Sequence, residues 1–270
     1  LEEIGLDRGE LETMWGLVGM SHGIVLVTGP TGSGKTTSLY SALNHINTTD
    51  KNILTVEDPV EYQLEGVGQM QINTGIGLTF ANSLRSMLRQ DPDVILVGEI
   101  RDLETAEIAV QAALTGHLVF STLHTNDAAS GITRLINMGI EPFLASSSLR
   151  AIVAQRLVRL LCSVCKQPYS LSEREISEQG LEEHISPGQV LYTPCGCEHC
   201  LQTGYKGRTA LFEILELDEA MQTLILSTSD SNRIRREAVS SGMRTLRGNG
   251  FAKVSRGLTS IDEILRVTQI

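Results

Sequence analysis

The sequence predicts an α/β fold with a mainly parallel sheet, joined to a cysteine-containing module and a small helical region near the C-terminal end. Short apolar strands alternate with amphipathic helical segments up to residue 161, which is typical of parallel sheets covered on both faces. Beyond that point, two CxxC pairs bracket a polar stretch, and the remaining residues have the pattern of several short helices. We therefore predict three regions, which are 1–161, 162–210 and 211–270.

The elements of the first region follow one another with short connections. A short predicted helix comes first, followed by an apolar strand, a glycine-rich loop and a second helix. A later segment has apolar residues at helical spacing, and Pro92 ends that helix. The predicted strands are 24–28, 52–56, 94–98 and 118–122, and the predicted helices are 35 onward, 78–90, 103–115, 127–138 and 141–161.

Composition restricts the classes of function. The net charge of −10 disfavours a protein that coats DNA or RNA, and aromatic residues amount to only 4%, too few for stacking many bases. The apolar runs are far shorter than a membrane span, so we expect membrane association to be peripheral. The chain begins at Leu1 rather than Met, and we interpret it as a fragment of a longer protein.

The segment GPTGSGKT fits the phosphate-binding pattern G-x-x-x-x-G-K-[ST] in full and lies between a predicted strand and a predicted helix. Glycines let backbone N–H groups turn toward phosphate oxygens, and the helix N-terminus favours negative charge. Lys35 can reach the β- and γ-phosphates of ATP, and the Thr36 hydroxyl can bind Mg²⁺. A plain glycine-rich turn is the alternative. The candidate nucleotide-binding residues are Gly29, Pro30, Thr31, Gly32, Ser33, Gly34, Lys35, Thr36 and Thr37.

Polar side chains follow three of the predicted strands. Glu57 and Asp58 follow the second strand, Glu99 the third and His124 the fourth. Because the carboxyl ends of parallel strands share one edge with the phosphate loop, all three strands can deliver polar groups to one phosphate. Glu99 can reach Mg²⁺ through a coordinated water, which leaves Glu57 as the better candidate to orient or deprotonate the attacking water.

Each of these assignments has a structural alternative. Glu57 or Asp58 can cap the turn before Pro59, and His124 can be a hydrogen-bonded scaffold histidine. Glu61 is the next candidate for the water-orienting role if Glu57 does not have it.

Four ordered segments resemble the motifs of secretion and pilus ATPases. These are GPTGSGKTT, TVEDPVEY, RSMLRQDPDVILVGEIRD and TGHLVFSTLHTNDA, which resemble the Walker A, Asp-box, Walker B and His-box segments. The two CxxC pairs and the ending RGLTSIDEILRVT look most like the type II secretion assembly ATPase (the GspE class), and the pilus-extension ATPase (the PilB class) is the second choice.

The resemblance implies a RecA-like P-loop ATPase core in which Glu57 orients the lytic water, Glu99 supports Mg²⁺ and His124 senses the γ-phosphate. It also implies that the chain lacks N-terminal domains of the family, one of which contacts nucleotide and completes the interface between subunits. We therefore expect poor turnover from this chain alone.

Three arginines are candidates for action on a neighbouring subunit. Arg85 and Arg89 lie four residues apart on one predicted helix, hence on one face, and Arg101 follows Glu99 closely. In a ring ATPase such cations can stabilise a neighbour's γ-phosphate in the transition state. The alternative is that they form ion pairs within the chain, with Asp91, Asp93 or Asp102.

The motifs CSVC and CEHC supply four cysteines, Cys162, Cys165, Cys197 and Cys200, at a spacing that suits a structural Zn²⁺ site. Lys166, Lys206 and Arg208 are close enough in sequence to offset the charge of four thiolates. Cys195 or His199 can replace one of the expected ligands, so the second pair is the less certain one. By resemblance, this module lies on the exterior of a ring and helps to contact membrane components.

These observations lead to a hypothesis of function and two alternatives. The leading hypothesis is a homohexameric ATP-hydrolysing motor at the cytoplasmic face of the bacterial inner membrane, which drives pseudopilus assembly and protein export by type II secretion. Its expected partners are the cytoplasmic domain of an inner-membrane scaffold protein and acidic phospholipids, with no specific nucleic acid. The alternatives are pilus extension, a nucleic-acid translocase on the same core, or a regulatory nucleotide-binding module without useful turnover.

Overall fold

The computed structural model describes residues 4–269, which fall into two compact units. The first unit comprises Leu1–Gln155 and Ile214–Met243, and the second comprises Arg156–Glu213 and Arg244–Ile270. The division of the chain into 1–161, 162–210 and 211–270 stays a prediction about which segments fold together.

The first unit is built on a mainly parallel sheet. Its strand order within the described residues is β3-β2-β4-β5-β1-β6-β9, and the neighbours from β3 to β6 pair in parallel. A separate antiparallel pair, β7 and β8, belongs to the second unit. The strands are β1 (Gly23–Thr28), β2 (Ile53–Glu57), β3 (Gly68–Gln71), β4 (Val94–Val97), β5 (Leu118–Leu123), β6 (Leu149–Leu161), β7 (Gln167–Tyr169), β8 (Leu191–Thr193) and β9 (Tyr205–Glu216).

The central strands β1, β4 and β5 are buried along their whole length. This explains why their sequences are continuous apolar runs rather than an alternation of apolar and polar residues. The registers align Val94 of β4 with Leu118 of β5, and Leu118 with Gly23 of β1. The carboxyl ends of these three adjacent strands therefore lie side by side, and each is followed by a segment with predicted functional residues.

Helices cover the sheet and begin where the sequence offers a cap. Asp102 and Asp127 accept backbone hydrogen bonds at the starts of α4 and α5, each satisfying an N–H that lacks a partner within the helix. Between residues 4 and 269, no helix is long and apolar enough to span a membrane. The helices are α1 (Arg8–Val18), α2 (Lys35–Ile46), α3 (Phe80–Met87), α4 (Leu103–Leu114), α5 (Ala128–Asn137), α6 (Pro142–Ser148), α7 (Glu173–Glu178), α8 (Glu219–Ser227), α9 (Ser231–Ser240), α10 (Leu246–Ser255) and α11 (Ile261–Thr268).

The predicted helix over 141–161 is wrong in its second part. The helix α6 ends at Ser148, and β6 follows from Leu149 onward. The first residues of β6 pair with β1, where Val25 lies opposite Ala151, and residues 151–155 are all buried. A place beside the central strand, buried on both faces, outweighs the helical propensity of this alanine- and leucine-containing segment.

Candidate functional site

The phosphate-binding segment lies between β1 and α2, as predicted. Gly32 and Gly34 have φ angles of 78° and 87°, a region of backbone conformation that favours glycine. Gly34 is the N-cap of α2, so the loop leads directly into the helix N-terminus. The Lys35 Nζ donates hydrogen bonds to the carbonyl oxygens of Gly29 and Pro30, at 2.8 and 3.1 Å. The ammonium group thus lies over the loop, where it can exchange these carbonyls for phosphate oxygens.

The loop fits a polyphosphate group in two further respects. A Cβ atom added at Gly32 would meet no atom within 4 Å, so space lies next to this backbone. The Ser33 hydroxyl is buried and has no hydrogen-bond partner within the part of the chain that the structure describes. A buried hydroxyl without a partner is costly, and an anionic oxygen would satisfy it. Thr36 lies half-buried in the first turn of α2, where its hydroxyl can serve as a ligand for Mg²⁺.

Glu99, Arg101 and His124 form a group at the ends of β4 and β5. The Glu99 carboxylate pairs with Arg101, and its other oxygen lies 3.4 Å from the Nε2 atom of His124. The Glu99 side chain is only 13% exposed, whereas Arg101 is 62% and His124 52% exposed. The hydrogen bond that Arg101 donates to Glu99 raises the pKa of the Arg101 guanidinium. The cation and the imidazole therefore face solvent around a shielded carboxylate.

Gly98 is a glycine because β4 passes close to β2 at this point. A Cβ atom at Gly98 would lie 3.2 Å from the Val56 carbonyl oxygen and 3.3 Å from the Glu57 Cα atom. The Gly98 N–H also donates to that same carbonyl, at 2.8 Å. Any side chain at this position would crowd the backbone of Val56 and Glu57, so glycine is favoured here.

Glu57 is buried at the end of β2 and accepts hydrogen bonds from three side chains. The Tyr40 hydroxyl donates to Oε2, while the Thr55 hydroxyl and the Gln69 amide donate to Oε1 at 2.6 and 3.1 Å. Burial, followed by the bond to Glu57, raises the pKa of Tyr40, so the phenol stays neutral and remains a donor. Glu57 is held inside the protein rather than capping a surface turn, since only 4% of its surface is exposed.

The arginines at positions 85 and 89 lie on the surface of the first unit. Arg85 forms an ion pair with Glu104 at 2.7 Å, rather than with any of the aspartates considered from sequence. Arg89 donates to the Arg85 carbonyl and to the Ser86 hydroxyl. Both side chains therefore have partners within the chain, and their action on a neighbouring subunit stays a prediction.

The four predicted zinc ligands come together in the second unit. The Sγ atoms of Cys162, Cys165, Cys197 and Cys200 all lie within 4.8 Å of one another. Three of the separations are 3.7, 3.8 and 3.9 Å. A tetrahedral zinc with Zn–S bonds of about 2.3 Å requires sulfur separations of about 3.8 Å. The cluster thus has the size and ligand type of a structural zinc site.

Two backbone N–H groups stabilise the thiolate form of Cys200, which is the form that binds a metal cation. The N–H groups of Cys197 and Gly204 each lie 3.2 Å from the Cys200 sulfur. Burial opposes the thiolate of Cys200, but these N–H groups overcome it and lower its pKa to about 6. Cys195 is exposed and outside the cluster, and the His199 ring contacts Lys206 at 3.0 Å. The geometry thus favours Cys197 as the third ligand over either substitute.

Sequence reasoning missed the partners of Glu57. Thr55 lies two residues before Glu57 on β2, and strand alternation alone predicts that the two side chains share a face. Gln69 could not be found in this way, because β3 was not predicted and its pairing with Thr55 depends on strand register. Tyr40 is on α2, so its contact with Glu57 requires knowledge of how the helix packs on the sheet.

Comparisons with known proteins identify the family to which this chain belongs. Residues 1–266 match the family described as type II/IV secretion system protein. The chain belongs to this family. Among its relatives, the type II secretion system protein E of Aeromonas hydrophila is 54% identical over 269 residues, covering 100% of this chain and 53% of that protein. The type IV pilus assembly ATPase TfpB of Acinetobacter baylyi is 47% identical over 269 residues, covering 100% of this chain and 46% of that protein.

Solved structures of the family have the same fold. The pilus retraction motor PilT, determined with bound ADP, has a TM-score of 0.73 and 30% identity, covering 100% of this chain and 66% of that one. The Legionella pneumophila ATPase DotB has a TM-score of 0.71 and 26% identity, covering 99% and 64%. The chain spans about half the length of the curated relatives described above. Membership in the family is therefore established for this segment, and the activity of the whole protein is a matter for proposal.

Proposed function

We propose that the chain is the ATP-hydrolysing part of a cytoplasmic motor that drives protein export by a type II secretion system. The observation that carries this proposal is the convergence of polar groups at one sheet edge. The phosphate loop follows β1, while Glu99 and His124 follow the adjacent strands β4 and β5. A loop for phosphates beside a shielded carboxylate and an exposed imidazole suits the cleavage of a phosphoanhydride bond.

In this proposal, the chain's own residues position ATP for attack by water. Lys35 moves from the loop carbonyls to the β- and γ-phosphates, and the N-terminus of α2 favours their negative charge. Mg²⁺, when bound by the Thr36 hydroxyl and through water by Glu99, supplies positive charge that neutralises the phosphates. Because the Arg101 and His124 side chains already contact Glu99, they can exchange that contact for the γ-phosphate.

The attacking water is assigned to Glu57. This carboxylate has two oxygens, of which Oε1 accepts from both Thr55 and Gln69, whereas Oε2 accepts from Tyr40. The less crowded Oε2 atom keeps acceptor capacity for a proton of the water. General-base assistance of this kind contributes about 10²–10⁴ in rate, so Glu57 should act on hydrolysis much more than on ATP binding.

The motor is proposed to be a homohexamer whose subunits act on one another. Arg85, Arg89 and Arg101 are exposed, and a cation that reaches a neighbour's γ-phosphate can accelerate hydrolysis by ~10³–10⁵. The four cysteines hold Zn²⁺, which stabilises the module for contact with an inner-membrane scaffold protein and acidic phospholipid. The ring would convert hydrolysis into movement that assembles a pseudopilus.

Type IV pilus extension is the second candidate, and a specific observation favours it. A relative described as a type IV pilus assembly ATPase is 47% identical over this chain, only slightly less than the secretion relatives. A nucleic-acid translocase has less support, since the net charge of −10 is unfavourable for binding phosphodiester backbones.

Genetic complementation in the source bacterium separates the candidates. We expect loss of the gene to abolish export of secreted enzymes and leave surface pili unchanged. The wild-type gene should restore export, and so should Glu107→Gln, which alters an exposed acid on α4. Glu57→Gln should not restore it. Normal export together with loss of pili would instead assign the chain to pilus extension.

A biochemical assay tests the partner. Hydrolysis by the full product of the gene should increase with vesicles containing acidic phospholipid or with the scaffold's cytoplasmic domain. Stimulation by duplex or single-stranded DNA at moderate salt, without any effect of vesicles or scaffold, would contradict the secretion motor and favour a translocase.

A further inference from the structure

We propose that Tyr40 is a positioning residue for hydrolysis, whose hydroxyl fixes the orientation of the Glu57 carboxylate with help from Thr55 and Gln69. This inference rests on the proposed function, because it concerns the geometry of the residue assigned to the attacking water. It adds Tyr40 and Gln69, which lie outside the quoted motifs, and it gives a role to Thr55, the first residue of TVEDPVEY.

The contact between Tyr40 and Glu57 is buried. Tyr40 has no exposed surface and Glu57 only 4%, so the contact is shielded from bulk solvent. A hydrogen bond to a charged group in such a place is stronger than one at the surface, and the loss of one partner leaves the other unsatisfied. The neutral state of the Tyr40 phenol, favoured by burial and by Glu57, keeps this donor available at all physiological pH values.

The side chains that donate hydrogen bonds to Glu57 form a connected group. The Gln69 amide donates to Glu57 and to the Tyr40 hydroxyl, at 3.1 and 3.3 Å, and its own oxygen accepts from the Leu64 N–H at 2.7 Å. Thr55 lies opposite Gln69 in the pairing of β2 with β3. The carboxylate is therefore approached from the helix on one side and from two strands on the other, which leaves it little freedom to rotate.

Tyr40 lies on the same helix as the lysine of the phosphate loop. That helix, α2, begins at Lys35, and Tyr40 follows five residues later, about 1.4 turns along it. A single rigid helix thus carries the lysine that contacts phosphate and the tyrosine that contacts the water-orienting carboxylate. A small change in the distance between the γ-phosphate and the Glu57 carboxylate slows catalysis strongly. Contact of one helix with both groups helps to keep that distance constant.

The neighbouring Tyr62 provides a matched control. Its ring packs edge-on against the Tyr40 ring with 4.7 Å between centroids, and 54% of its surface is exposed. Tyr40→Phe and Tyr62→Phe make the same chemical change a few ångströms apart. Only the first removes a hydrogen bond to Glu57.

The test measures single-turnover hydrolysis of γ-labelled ATP, the KM for ATP and the affinity for ATP. Tyr40→Phe should lower the hydrolysis rate about 10- to 100-fold and change KM and affinity less than twofold, whereas Tyr62→Phe should match the wild type. In the Glu57→Gln background, Tyr40→Phe should have no further effect, because the group it positions is already lost.

A second pair of variants tests the same idea without a change in the helix. Thr55→Val removes a donor to Glu57 and should lower the hydrolysis rate at unchanged KM. Thr55→Ser retains the hydroxyl and should restore most of that rate. A structural role of Thr55 predicts no such rescue, since serine fills less space than either threonine or valine.

Three outcomes would overturn the inference. Wild-type hydrolysis by Tyr40→Phe, with Glu57→Gln inactive, would remove the positioning role and leave the proposed function intact. An equal loss from Tyr40→Phe with and without Glu57→Gln would show that the tyrosine acts only on the general structure. Wild-type hydrolysis by Glu57→Gln itself would refute the water-orienting role of Glu57, and the inference would fall with it.

Discussion

The phosphate loop, residues 29–37, and the cysteine cluster, residues 162–200, each hold a few polar groups in a defined geometry, but different interactions support them. The loop follows β1, which is buried along its whole length. It precedes α2, in which Leu39, Tyr40 and Leu43 are buried. Around the cluster, Val164 is 67% exposed and Leu201 is 84% exposed. Apolar burial supports the loop. The insert between the two CxxC pairs also has a small apolar core, whereas the four clustered thiolates repel one another and need a cation to hold them together. The buried apolar residues of the insert are Leu171, Ile176, Leu181, Ile185 and Leu191.

Because different interactions support the phosphate loop and the cysteine cluster, the two regions should respond separately to perturbation. Burial of apolar surface stabilises the first region at roughly 25 cal/mol per Å², whatever ligand is bound. Apparent binding free energies of about 10–16 kcal/mol are typical when Zn²⁺ is held by small cysteine-containing peptides. A change at the cluster should therefore affect the metal module strongly and the nucleotide site little, and the reverse should hold for the loop.

The largest effect is expected from Cys162→Ser. Removal of one of four thiolates should reduce zinc content from one equivalent per chain to nearly none and loosen the two CxxC turns, because ligation holds the four sulfur atoms together. Metal analysis of the purified protein measures this directly. Cys195→Ser is the matched control, since that exposed thiol lies outside the cluster and its loss should leave zinc content unchanged. Equal zinc in both variants would contradict the assignment.

The next effect concerns acid stability of the second unit. Burial disfavours the charged form of Glu263, but hydrogen bonds from Arg266 and Arg159 overcome it and lower its pKa from 4.5 to about 2. Because the pKa is lower in the folded state, this stabilisation is complete above about pH 4.5 and is lost as the pH falls to 2. The stabilisation is on the order of 3 kcal/mol, because a difference of one unit in pKa corresponds to about 1.4 kcal/mol.

Denaturant unfolding of the second unit at several pH values measures this contribution. The difference in the free energy of unfolding between wild type and Glu263→Gln should shrink as the pH falls from 5 to 2. Glu178→Gln alters an exposed glutamate that pairs with Arg174, and it should show a small difference at every pH. A constant difference for Glu263→Gln would exclude the charged network as the source of stability.

Lys35→Ala should weaken ATP binding about 100-fold, or ~2.7 kcal/mol, because it removes the charge that faces the phosphates. The fold should survive, since the lysine hydrogen bonds lie within the loop. Calorimetric titration with ATP gives the affinity, and zinc content serves as a second readout that should stay constant. Lys51→Ala is a control for the loss of one positive charge. Unchanged affinity in folded Lys35→Ala protein would contradict the nucleotide site.

The smallest effect is expected at the Arg85–Glu104 ion pair. Both side chains are about half exposed, so Glu104→Gln should change the free energy of unfolding by less than about 1 kcal/mol. Arg85→Gln should have a similarly small effect on stability but should reduce hydrolysis strongly if the arginine acts on a neighbouring subunit. Equal and small effects of the two variants on hydrolysis would restrict Arg85 to the ion pair.

The sequence predicted the parts of the molecule that short-range chemistry determines. The phosphate loop follows from its glycines and from the strand and helix beside it, and the cysteine cluster follows from ligand type and spacing. Buried strands such as β4 were predicted from apolar runs. The helix α4 was predicted as 103–115, and the structure has it at Leu103–Leu114.

What the sequence did not predict depends on long-range packing. The strand β6 has a helix-compatible sequence and becomes a strand only beside β1, and β9 depends in turn on β6 as its neighbour. The contact between Tyr40 and Glu57 joins residues 17 positions apart through the packing of α2 on the sheet. No local pattern contains such information, which explains why the motifs gave the identity of Glu57 but not its surroundings.

One sample can test whether apolar burial supports the nucleotide site while metal ligation supports the cysteine cluster. A mercurial thiol reagent with a chromophoric chelator should release one equivalent of Zn²⁺ per chain. Protease cleavage should then move into residues 166–196, while the affinity for ATP stays within twofold of the untreated protein. If no zinc is released and the module resists protease, metal ligation does not support the cysteine cluster. If ATP binding is lost together with zinc, the nucleotide site is not supported by burial alone.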